Sequence, residues 1–202
     1  PFPLATTHGL NSPPLMHDIE PYYNWRHQYT AEEDEQSPFF GRTYSEFEFS
    51  NTVYNYYIHP QWDDMGSRTL YLKILFADYD ENYAIIELIG EWNDAIENDI
   101  QTLKRSIIDL LIAHKIYKFI LIGENVLSFH SDGDDYYAEW YEDIRDQGGW
   151  ISAVNFIPSV CHDFKMARIT HYVLFMEQEN WRTLKPEHFF QKIDSDILRG
   201  IA

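Results

Sequence analysis

The stretch LSFHSDGDDYY, residues 127–137, gathers one histidine, two serines and three aspartates between two apolar runs. His130 belongs to the residue type that exchanges protons near neutral pH. His130, Asp132 and Asp134 alternate and offer imidazole and carboxylate donors of the kind divalent metals accept. Ser128 and Ser131 carry hydroxyls that a kinase could phosphorylate. Asp132, Asp134 and Asp135 stand where a helix should begin, and aspartates there cap free N–H groups and suit the helix dipole. Plain capping accounts for two of the three.

Other residues bear on the same question. His59, Asp63 and Asp64 in HPQWDDMGSR form a second donor set, but neither set has the spacing of a motif such as H-E-x-x-H. Together they define the alternative reading, a metal-dependent hydrolase or small-ligand sensor using His59, His130 and nearby aspartates. Glu91 with Asp94, and Asp78 with Asp80, are pairs suited to acid–base work. Cys161 and His162 are neighbours on a predicted helix, so their side chains diverge. The chain has no G-x-S-x-G, no Walker loop and no G-x-G-x-x-G, so no catalytic residue, resident metal or cofactor is expected.

The elements around these residues alternate. YAIIELIG (83–90), YKFILIG (117–123) and WISAVNFI (150–157) are apolar on both faces, apart from Glu87, as interior parallel strands are. Between them the spacing predicts a helix with Ile96, Ile100, Leu103, Ile107 and Leu110 on one stripe, opened by a capping box of Asp94 and Glu97. A second helix over 134–147 carries Tyr137, Trp140, Tyr141 and Ile144. SVCHDFKMARI continues a third from Pro158, HYVLFM (171–176) is a short last strand, and Pro186 opens a C-terminal helix. Upstream, LYLKILF (70–76) alternates, with Leu70, Leu72, Ile74 and Phe76 predicted inward and Tyr71 and Lys73 outward. SEFEFSNTVYNYYI (45–58) also alternates, with Phe47, Phe49, Val53 and Tyr57 on one face, and reads as its antiparallel neighbour. The expectation is an α/β fold with a mixed, partly parallel sheet flanked by helices over 68–202. Residues 1–67 are expected to form an extended aromatic arm with one or two strands packed on that body.

Composition narrows the function further. The chain has 202 residues, 17% aromatic, with 15 Lys+Arg against 33 Asp+Glu and a net charge of −18. Such a surface repels phosphate backbones and anionic membranes, so nucleic-acid and membrane binding are not expected. A protein partner with a basic patch is the natural companion. One cysteine, Cys161, allows no internal disulfide, and PFPLATTHGLNSPPL has no charged or apolar leader pattern; the expected compartment is the cytoplasm. An extended arm also invites exchange between copies, so a homodimer is a further expectation.

The run LIGEWNDAIENDIQTLKRSIIDLLIAHKIYKFILIGENVLSFHSDGDDYY resembles the signature stretch of STAS domains of the anti-sigma factor antagonist type. In that pattern a strand ends in Leu-x-Gly-Glu-hydrophobic-Asp, and LIGEWND (88–94) carries it with Asn93 or Asp94 near the Asp position. A helix, a strand and an Asp-Ser-Ser-Gly turn opening the next helix follow there; LSFHSDGD (127–134) falls at that turn. Where the family carries its Ser-Ser pair, this chain reads Ser131, Asp132, Gly133, which leaves Ser131 as the candidate phosphorylation site. The resemblance implies a regulatory domain that docks a partner through the 124–137 loop and the helix after it. The implied contact residues are Glu124, Asn125, Ser128, His130, Ser131, Asp132, Asp134, Asp135 and Tyr136.

Overall fold

The computed structural model describes residues 19–45, 47–53 and 56–200. The prolines at positions 1, 3, 13 and 14 lie outside those residues. A short hairpin, β1 (Thr52–Val53) and β2 (Tyr56–Tyr57), precedes a six-stranded sheet. Its order is β3 (Asp63–Asp64), β4 (Leu70–Asp78), β5 (Tyr83–Asn93), β6 (Lys118–His130), β7 (Trp150–Val154) and β8 (Val173–Met176). β3–β4 and β4–β5 are antiparallel, and β5–β6, β6–β7 and β7–β8 are parallel. The protein is therefore of the mixed α/β class, and the three apolar runs lie side by side, as two-faced hydrophobicity requires.

Alternation sorts the side chains onto two covers. Ala84, Ile86, Leu88 and Trp92 of β5 face one layer of helices and share a cluster with Ile100, Leu103, Tyr137, Trp140, Val160 and Phe164. These come from α2 (Asp99–Leu103), α4 (Asp135–Arg145) and α5 (Pro158–Met166). Tyr83 and Ile85 face the other way, against Phe189, Phe190 and Ile193 of α6 (Pro186–Leu198) and against Trp25 and Trp181. Farther along that outer face, Ile89 and Tyr71 pack with Val53, Ile58 and Trp62. The aromatic arm thus covers the part of the outer face that α6 leaves open.

Several expectations change in the structure. The stretch 45–58 does not pair with β4: β1 and β2 pair with each other, and β3 takes the place beside β4. That short pairing sets Asp63 beside Lys73, at 3.3 Å, whereas Phe47 is 86% exposed. Tyr71 and Lys73 are buried, not outward, because the arm covers them. A register shift between Ile74 and Phe76 then turns Phe76 to the outer cluster.

The helix after β5 is broken. α1 (Asp94–Glu97) ends at Asn98, whose φ is 54°, and a π turn over Lys104–Ile108 separates α2 from α3 (Asp109–Ala113). The wider turn shifts the buried phase, so Ile108 and Leu111 point inward and Leu110 outward. The cap of α1 is Asn93, whose Oδ1 accepts from the Ile96 amide at 3.0 Å, not an Asp94–Glu97 box. The last strand begins only at Val173, after a 3₁₀ turn over Ile169–His171, and a second such turn spans Trp181–Thr183.

Candidate functional site

β6 runs on as strand to His130, because β5 extends to Asn93 and supplies pairing along that length. The predicted 124–137 loop is thus a strand end, a turn over 131–134 and the start of α4. This separates the nine expected contact residues into six at the tip and two on the outer face, with Ser128 between them.

His130, Ser131, Asp132, Asp134, Asp135 and Tyr136 gather at the tip beyond the C-terminal ends of β5 and β6. His130 Nε2 lies 2.9 Å from Glu91 Oε1. Ser131 Oγ accepts from the Gly133 amide at 3.1 Å, which closes the turn, and Gly133 adopts φ 141°. Asp134 caps α4 through its backbone and accepts from the Tyr172 hydroxyl at 3.3 Å. Asp132 and Asp135 are exposed, and among the described residues their side chains make no hydrogen bond or ion pair. They line a small cleft with Asn98, Gly133 and Tyr136, and Asp94 forms its floor.

Asp94 is a residue whose role spacing did not reveal. Its Oδ1 accepts from Trp92 Nε1 at 3.0 Å and from the Ile100 amide at 2.9 Å, while Oδ2 accepts from the Tyr137 hydroxyl at 2.7 Å. Burial pushes its carboxyl up to about 6 despite those donors. Asp99, also buried, accepts from the Asn93 amide at 2.7 Å and locks the strand end to α2. These two buried carboxylates position the tip.

Glu124 and Asn125 lie elsewhere, on the outer face. Glu124 accepts from Arg182 Nη2 at 2.5 Å, Trp181 Nε1 at 2.8 Å and Asn155 Nδ2 at 2.9 Å. Burial raises its carboxyl, but these donors outweigh burial and hold it below its ordinary value. Beside it is Glu87, whose Oε2 accepts from the Tyr22 amide at 2.7 Å and whose Oε1 meets Arg182 at 3.9 Å. Burial pushes Glu87 up to about 7. Ser128 sits between the two places, in register with Glu91.

The alternative donor sets do not assemble. Asp63 is buried and ion-paired to Arg42 at 3.1 Å and Lys73 at 3.3 Å, and also accepts from the Tyr44 hydroxyl. Asp64 accepts from the Gly66 amide at 2.7 Å, and His59 Nε2 faces Glu20 at 3.5 Å. Among the described residues no group of three His, Cys, Asp or Glu converges as a metal site. Burial pushes the Cys161 thiol up, away from the nucleophilic thiolate. No helix among the described residues is long and apolar enough to cross a membrane.

No family model matches the chain, and no curated protein matches it. Solved structures similar in chain path include two of one regulator. One is the structure of the anti-sigma factor antagonist SpoIIAA in its unphosphorylated form, at 15% identity over 65% of this chain and 98% of that one, with a TM-score of 0.45. The other is the structure of the Bacillus cell fate determinant SpoIIAA in the phosphorylated form, at 12% identity over 60% and 98%, with a TM-score of 0.42. The order of elements observed over 83–176 is the strand, helix, strand, turn, helix, strand, helix, strand that the STAS resemblance implies.

Proposed function

We propose that the chain is a non-enzymatic regulatory domain, similar to anti-sigma factor antagonists, that docks a basic protein partner through the tip of β5 and β6 and the first turns of α4. The carrying observation is the pair Asp132 and Asp135, exposed beside the tip cleft and, among the described residues, without a hydrogen-bond or ion-pair partner. Ile96, 73% exposed on neighbouring α1, supplies an apolar contact at the same end. A desolvated hydrophobic centre with charged edges is the usual anatomy of a docking surface. The position also suits recognition, since open α/β sheets bind their ligands beyond the carboxyl ends of the strands.

Ser131 is the proposed control point within that surface. A phosphate there adds up to about two negative charges beside Asp132 and Asp134 and removes the Ser131 O–H that donates to the Gly133 carbonyl within the turn. The added charge by itself favours a basic partner; docking weakens because repulsion among the crowded anions and the lost O–H bond distort the turn that presents Asp132 and Asp135. The test is quantitative pull-down from native lysate, with identification of what the wild-type chain retains. Replacing both Asp132 and Asp135 by Lys, and separately Ser131→Asp, should each abolish retention of that protein. Equal retention by all three removes the tip as the docking surface.

A further inference from the structure

Glu87 is the one charged residue in YAIIELIG, and its side chain is 2% exposed on the outer face of the sheet. It lies between two apolar clusters, with Tyr83 and Ile85 on one side and Ile89 on the other. An apolar cavity of about 390 Å³, lined by Val53, Tyr56, Ile58, Ile89 and Leu127, opens beside it. That cavity shares Ile19 and Asn125 with an open cleft whose floor holds Glu87 and Arg182. An apolar recess thus leads onto a polar floor, and the recess falls in the size range of ligand pockets.

The charges around Glu87 decide what fits. Arg182, from the 3₁₀ turn, is held by Glu124 of β6 at 2.5 Å and stands 3.9 Å from Glu87. Arg26, on the arm, donates to Gln61 at 3.0 Å. Lys73, opposite Glu87 on β4, is engaged by Asp63 at 3.3 Å and Glu32 at 3.5 Å. Glu20, on the cleft's rim, faces His59 at 3.5 Å. Arg182 and Lys73 are each engaged by another carboxylate, Arg26 is turned to the neutral Gln61, and among the described residues Glu87 Oε1 receives no hydrogen bond. An anionic ligand would meet Glu87 and Glu20 on the lining of the cleft.

We propose that this composite groove binds a small molecule with a primary ammonium head on an apolar body, the head against Glu87 and the body over Ile58 and Ile89. The site is separate from the tip and does not depend on the docking role. An ammonium beside Glu87 favours its ionised form, whereas without one burial, partly offset by the Tyr22 amide and Arg182, pushes that carboxyl up to about 7. Below pH 7 binding therefore expels a proton, and affinity falls about tenfold per pH unit there and levels off above it.

Calorimetric titration of the full chain with 4-phenylbutylamine tests this, with 4-phenylbutyrate as the same skeleton bearing the opposite charge. The amine should bind saturably, one per chain, and the carboxylate should not. Glu87→Gln should weaken the amine by about tenfold or more at pH 8. Arg182→Gln, which removes the competing guanidinium, should tighten it, an effect that misfolding cannot mimic. No saturable amine binding, equal binding of the carboxylate, unchanged affinity in Glu87→Gln, or weaker affinity in Arg182→Gln would each overturn the assignment.

Discussion

Asp94 takes donors from three elements, Trp92 on β5, Ile100 on α2 and Tyr137 on α4, and so ties the tip together. Asp94→Ala strands all three donors in the interior and should cost about 3 kcal/mol or more in urea unfolding at pH 7. Asp94→Asn retains an oxygen for the two N–H groups and lets the Tyr137 hydroxyl turn to accept, so its loss should stay near 1 kcal/mol. The two also differ from wild type in pH response. The folded pKa of about 6 lies above the ordinary 3.8, so the folded state binds the proton first and wild-type stability rises as pH falls from about 6 towards 3.8. Asp94→Asn should lack that increment, read as the difference between the two unfolding curves at pH 7 and pH 4. Glu87 acts in the same direction but is present in both proteins. Spacing alone read Asp94 as half of a capping box, because a carboxylate three residues before Glu97 looks the same whether its side chain points to water or inward. The cluster 130–136 was legible as a strand-to-helix turn, while the separation of Glu124 and Asn125 from it follows from β6 running seven residues beyond Gly123, which depends on a long-range partner.

Elements carry their own vulnerabilities. Gly90 sits in β5 at φ 123°, where an added Cβ would come within 2.0 Å of the Thr69 carbonyl oxygen. That oxygen accepts from the Glu91 amide at 2.9 Å, so the backbone has no room to retreat. Gly90→Ala should lose about 3 kcal/mol, the upper part of the usual range, by denaturant unfolding. In the broken helix, Lys104 is buried and its ammonium donates to Asp143 at 2.8 Å and to Asp109. Glu139 stands 3.6 Å away. Lys104→Met takes the ammonium from Asp143 and leaves Asp109 and Glu139 to Arg105, at 3.0 and 2.6 Å, so it should destabilise by about 1–2 kcal/mol in urea unfolding at pH 7. The central strands were readable because two-faced apolar runs have few other uses. The π turn was not, since one extra residue in a turn leaves no mark in composition and shows only as a shifted phase after Lys104. β3 is two residues long, and its place beside β4 is secured by the Asp63–Lys73 and Asp63–Arg42 pairs, not by any strand pattern. The arm's aromatic residues signalled packing, but which face they cover depends on where α6 stops.

At the scale of the whole molecule, a net charge of −18 on 202 residues works against compactness. Two effects of salt compete. Screening relieves repulsion among exposed carboxylates such as Asp132, Asp135, Glu142 and Asp146, and it weakens attractive pairs. The attractive pairs that matter most have a buried member: Lys104 with Asp143, Asp63 with Lys73 and Arg42, Glu87 with Arg182. Buried pairs are screened less than surface charges, so relief of repulsion should win. Raising sodium chloride from about 0.02 M to about 0.5 M shortens the screening length from roughly 20 Å to roughly 4 Å. Tm should rise by about 5 °C over that range, a change of one to two kcal/mol for a chain of this size. The same salt should weaken capture of a basic partner at the tip, because Asp132 and Asp135 act there as exposed charges. Stability and docking should therefore move in opposite directions along one salt series, read by thermal melting and by retained partner. A parallel fall of both would mean that local ion pairs, not the surplus of carboxylates, govern the fold.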